Sequence, residues 1–136
     1  MKAKELQSDD YLSYKGQIII KVESITKKKV GYHIKPNECH MHYVRLRECK
    51  PIPLIKIHLT KNGFVATNES DTEFVYGDGG YEVRVEFDEG LPEANIEPSI
   101  FLKIEFAEKE LVMPIEYLHE LQHAMRLFGI EKEIEL

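Results

Sequence analysis

At 136 residues, with 43% hydrophobic and 31% charged side chains, the chain is long enough for one ordinary domain or two very small ones. No window approaches the roughly 18 apolar residues of a membrane span, MKAKELQSDD at the start has no signal-like apolar run, and two cysteines are too few for a disulfide-stapled fold. A cytoplasmic protein with no membrane contact and free thiols at Cys39 and Cys49 is expected. The net charge of −6 is unevenly spread: residues 1–60 hold 12 Lys and Arg against 6 Asp and Glu, and residues 61–136 hold 6 against 18. Such asymmetry says nothing about fold, but it creates two surfaces of opposite sign that can meet a charged partner or each other.

The first third reads as strands. Tyr11 to Tyr14 is followed by a Lys15-Gly16 turn, and Ile18, Ile20 and Val22 then alternate with Ile19, Lys21 and Glu23, the period of a sheet with one buried side. Lys27-Lys28-Lys29 reads as a solvated turn before two further strands, Val30 to Ile34 and His40 to Arg47. Several short strands in about 50 residues with no helical period predict a strongly bent sheet or small barrel.

Residues 51–64, PIPLIKIHLTKNGF, admit two readings. Ile55, Ile57 and Leu59 alternate as in a strand running into an Asn62-Gly63 hairpin, whereas Pro51 and Pro53 can end a sheet and Gly63 can stop a short helix. Beyond them, Thr72 to Tyr76, the alternating Tyr81, Val83, Val85 and Phe87, and Ser99 to Phe106 predict a three-stranded antiparallel meander with a turn at Gly77-Asp78-Gly79-Gly80. Pro114 suits a first helical position, and Leu118, Leu121, Met125 and Phe128 form an apolar stripe that Gly129 would close.

KELQSDDYLSYKG near the start, PIPL and NGF in the middle, and Tyr117, His119, Leu121 and Gln122 near the end together resemble a family of small proteins common in Bacteroidetes genomes, their phages and integrative elements. The chain departs from that family at Ile55, Lys56 and Ile57, where acidic residues are usual. The resemblance implies a barrel-like start, a linker at PIPL, a short helix ending at NGF, a few strands and a terminal helix, and it implies no activity. The expected fold is α+β, mainly β. A small basic Src-homology-3-like barrel over residues 1–53 precedes an acidic antiparallel sheet packed with a C-terminal helix over residues 54–136.

Two sets of residues could hold metal. His119-Glu120-Leu121-Gln122-His123 satisfies HExxH, in which two His one turn apart bind zinc and Glu activates water. Against it, Arg126 stands where the longer HExxHxxGxxH pattern needs Gly, and a third ligand downstream would have to be Glu131, Glu133 or Glu135. At about 100° per residue both histidines also point away from the apolar stripe, toward solvent. Cys39, His40, His42 and Cys49 form the other set, but a straight strand would hold the two cysteines roughly 30 Å apart. The GDGG run precedes a strand, not a helix, and is read as a turn with no phosphate role. No catalytic, cofactor-binding or metal residues are therefore expected, and the alternative is a metal-dependent hydrolase using HELQH.

The candidate binding surface consists of Lys15, Lys21, Lys27, Lys28, Lys29, Tyr32, Tyr43, Arg45 and Arg47. Lysines for phosphates and tyrosines for stacking on a small barrel are a known way to hold nucleic-acid strands, although lysines also protect sheet edges and tyrosines also pack cores. The expected function is a non-enzymatic binding or accessory module of a mobile element, contacting protein or nucleic acid through the basic half. A homo-oligomer in which the two charged halves satisfy each other is the other expectation.

Overall fold

The computed structural model describes residues 2–35, 39–77 and 79–136; it is α+β and mainly β. The chain divides into two compact units, residues 1–53 with 117–119 and residues 54–116 with 120–136.

In the first unit, β1 (Tyr11–Tyr14) pairs antiparallel with β2 (Ile18–Lys21) across a turn in which Lys15 and Gly16 both have positive φ. Residues Ser24–Ile25, Lys29–Tyr32 and His42–Arg45 form β3, β4 and β5 of a second sheet. A 3-10 turn over Leu46–Glu48 then leads to β6 (Cys49–Pro51), which returns to the free edge of β1. The chain passes from β2 to β3 through hydrogen bonds from the Val22 N–H to the Asp10 carbonyl (2.7 Å) and from the Glu23 N–H to the Gly31 carbonyl (2.9 Å). Leu6, Leu12, Ile20, Val22, Val30, Leu46 and Cys49 make one buried cluster drawn from both sheets. The expected barrel is thus two three-stranded sheets sharing a core, not a closed ring of strands. The expected alternation of Ile18, Ile20 and Val22 holds for the last two, whereas Ile18 is 50% exposed where β2 leaves its turn.

In the second unit, the PIPL stretch is followed by a helix and not a strand. Helix α1 spans Lys56–Lys61, and Gly63 beyond it takes a left-handed φ of 86° that ends the turn. The Ile55 N–H at its start donates to His58 Nδ1 (3.2 Å); burial first, and the Lys61 charge second, lower the His58 pKa and favour the neutral ring that can accept this bond.

Five strands then form one antiparallel sheet in the order β11-β10-β9-β8-β7: β7 (Val65–Ala66), β8 (Glu73–Gly77), β9 (Tyr81–Asp88), β10 (Ser99–Phe106) and β11 (Lys109–Ile115). Phe74, Val83, Val85, Leu102 and Ile104 are buried on its inner face, with an aromatic row of Phe64, Tyr76, Tyr81 and Phe106 at successive centroid spacings of 5.3, 6.1 and 6.1 Å. The glycine-rich turn between β8 and β9 stands as expected at Gly79 and Gly80, while Asp78 lies outside the described residues.

Two expectations need correction. The antiparallel sheet has five strands and not three. Pro114 does not begin the helix. It lies in β11 opposite Phe101, at the edge of the sheet, where its missing N–H leaves no neighbouring strand unpaired. Helix α2 begins only at Leu118 and runs to Leu127, burying Leu118, Leu121, Ala124 and Met125 before Gly129 closes it.

Segment 130–136 after α2 has no regular structure and is held by two side-chain amides. Asn62 donates to the Glu135 carbonyl and accepts from the Glu135 N–H, both at 2.7 Å, so its amide acts as one more rung of backbone pairing. Gln122 donates to the Lys132 carbonyl (3.0 Å) and accepts from the Ile134 N–H (2.6 Å). Both amides are 3% exposed, and Ile130 and Ile134 are buried with them. A buried donor or acceptor stripped of its partner costs far more than the net worth of one hydrogen bond. Asn62→Ala should therefore lower unfolding stability by about 3 kcal/mol. In the same variant the Glu135 amide should exchange like an exposed one, and unchanged protection there would show that Asn62 does not hold the segment.

Candidate anion-binding pocket

The hairpin joining β3 to β4 is tight. The Thr26 N–H donates to the Lys29 carbonyl (2.8 Å), the Lys29 N–H donates to the Thr26 hydroxyl (3.0 Å), and Lys27 and Lys28 are left at the tip. The Leu46 N–H donates to the Lys28 carbonyl (2.8 Å), which ties this tip to the 3-10 turn after β5. Between them opens a pocket of about 680 Å³ lined by Lys27, Lys28, Lys29, Arg45, Leu46 and Arg47. Its floor is the buried Leu46 and its walls are five cations from two segments far apart in sequence.

The register of β4 on β5 makes the pocket electrostatically costly. Val30 lies opposite Val44 facing the core, so Lys29 lies directly opposite Arg45 on the outer face. Like charges in that relation destabilise a sheet. The acidic unit also has such a pair, Lys103 opposite Arg84, but there Glu82, Glu73 and Glu105 surround it at 2.6, 3.4 and 3.0 Å. No carboxylate among the described residues pairs with Lys27, Lys28, Lys29, Arg45 or Arg47, so this cluster keeps its positive field for solvent or a ligand.

One step along the same face, Gly31 lies opposite Tyr43. A Cβ on Gly31 would come within 2.9 Å of Tyr43 Cε1 and 2.5 Å of Met41 Sδ, so both side chains lean over the glycine. Tyr43 nevertheless remains 56% exposed, about 7 Å along β5 from Arg45.

Of the nine expected surface residues, the five cations line the pocket and Tyr43 shares the outer face of β5 with Arg45, while the other three do not join them. The Lys15 ammonium lies over the Tyr14 ring (5.3 Å from its centroid), and Lys21 reaches Asp9 (3.8 Å) and the Tyr11 ring (5.8 Å). Tyr32 packs against the core with its ring 5.7 Å from that of His42. Sequence reasoning passed over Leu46 as the pocket floor and Gly31 as the space for Tyr43. A glycine inside a strand was the available sign of a close approach.

The two metal readings fare differently from the way the sequence suggested. His119 does not face solvent: it is buried and stacked on Tyr117 (5.8 Å, 10° between planes), because Tyr117 bridges to Pro53 and the Leu118 N–H bonds the Ile52 carbonyl. Glu120, the water-activating residue of an HExxH site, accepts the Glu116 N–H at 3.0 Å. The strand carrying His42 stops at Arg45 and turns, so the straight-strand separation of the cysteines does not apply. Cys39 is exposed and Cys49 buried, both as free thiols; burial first, and Glu48 second, push the Cys49 thiol pKa up, which makes it a poor nucleophile. No group of three metal-ligating side chains gathers among the described residues. Nor is any helix among them long and apolar enough to cross a membrane.

No protein-family model, curated protein or solved structure gives a significant match to this chain.

Arg45→Thr should raise unfolding stability at low salt by about 0.5 kcal/mol, since it removes the like-charge opposition and keeps a good strand former. Added salt should shrink the difference, as screening relieves the parent pair. A loss of stability at low salt would mean that the cluster is neutralised within the molecule.

Proposed function

We propose that the protein is a non-enzymatic binding module that holds a polyanionic partner in the pocket formed by the β3–β4 hairpin and the turn after β5. One observation carries this reading: five cations, none paired with a carboxylate among the described residues, converge on one open pocket from two distant segments. A polyanion contributes what the fold withholds, because its charges screen the Lys29–Arg45 opposition and it releases its own counterions on binding. The strongly acidic composition of residues 61–136 offers no comparable attraction and confines the partner to the basic unit. The resemblance noted in the sequence implies no activity, and an accessory role in a mobile element is compatible with such a module.

Inorganic polyphosphate tests the electrostatic core of the proposal without assuming a biological partner. Binding to the full chain should weaken with salt along a log–log slope of about −3.5, as expected for roughly five contacts to a flexible anionic chain. Lys28→Glu with Arg47→Glu, both exposed positions, should flatten that slope by more than one unit without lowering stability. Salt-independent binding, or no binding at low salt, would overturn the proposal.

A further inference from the structure

We infer that the partner is a single-stranded nucleic acid, with its phosphates in the cationic pocket and an unpaired base stacked on Tyr43. This inference rests on the polyanion reading and narrows it. The register places Tyr43 and Arg45 on the same outward face of β5 about 7 Å apart, which puts an exposed aromatic ring one strand step from the cations. The ring is set by its surroundings: Gly31 opposite supplies no Cβ, and Met41 crowds the same space.

An exposed tyrosine over a glycine has no value to the core, whose side of this sheet is formed by Val30, Tyr32 and Val44. It does offer a flat apolar surface to a ligand. Carboxylate polymers and polyphosphate can use the five cations but not the ring. A duplex hides its base faces by stacking, whereas a single strand presents phosphate and base face together. Cations along a backbone with an adjacent aromatic platform are the combination by which single strands are held with little sequence preference.

The test uses fluorescence anisotropy on the full chain with labelled oligomers of about 12 nucleotides, a length within the usual range for small single-strand modules. The arms are oligothymidylate, oligouridylate, an abasic deoxyribose-phosphate oligomer of equal charge, and a duplex of equal length. Oligothymidylate or oligouridylate should bind about tenfold more tightly than the abasic oligomer, and the stronger of the two identifies the sugar. Tyr43→Ala should remove that advantage while leaving abasic binding unchanged, and Tyr43→Phe should restore it. Equal affinity for base-bearing and abasic oligomers, or preference for the duplex, would overturn this inference while leaving the polyanion proposal standing. Failure of every oligomer to bind at low salt would overturn both.

Discussion

The pairing register of β4 on β5 is the constraint on which both the core of the basic unit and its outer face depend. Val30, fully buried, must face inward opposite Val44. Because side chains alternate along a strand, that choice fixes Lys29 opposite Arg45 and Gly31 opposite Tyr43 on the other side. A slip of one residue would turn the cations into the core and the valines to water, a far larger cost than the like-charge opposition it would relieve. The bond from the Leu46 N–H to the Lys28 carbonyl pins the same register from its end. The repulsion is therefore built into the register, and among the described residues no carboxylate pairs with either cation.

The acidic unit depends on a different economy of polar groups. Segment 130–136 buries Ile130 and Ile134 without a strand ladder, so its backbone must find partners elsewhere. Asn62 and Gln122 provide them from the end of α1 and the middle of α2. Gly63 and Glu120 also have structural tasks, the first closing α1 and the second holding the Glu116 N–H. The short motifs that drew attention in the sequence, NGF and HELQ, thus include residues with clear structural work at their polar positions. The HELQH run matches a metal motif in spelling while its middle residues are engaged in folding.

Much of the fold was legible because period and burial agreed. Tyr81 to Phe87 alternates in sequence and in the sheet, and Leu118, Leu121 and Met125 are spaced and buried as a helix requires. Legibility failed where one residue had two meanings. Pro114 suits a helix start and an edge strand equally, and only the pairing of β11 with β10, a tertiary fact, selects the second. β3 and β7, two residues each, are too short to show any period. Helical angles alone put His119 on the solvent side, because they do not reveal that Pro53 and Ile52 hold the start of α2. The cations were readable as a class, but their convergence was not. Lys15 and Lys21 found local aromatic and acidic neighbours, whereas Lys27 to Lys29 met Arg45 and Arg47 only through non-local strand pairing.

The central claim is that the outer face of β4 and β5, with the turns at its end, is where this protein meets its partner. Amide chemical shifts recorded on the full chain during titration with a short oligothymidylate at low salt test it most directly. The account predicts shifts concentrated at Lys27 to Lys29, at Gly31 and from Tyr43 to Arg47, reversed by salt, with β8 to β11 unmoved. Shifts centred on the five-stranded sheet, or spread evenly over both units, would contradict it.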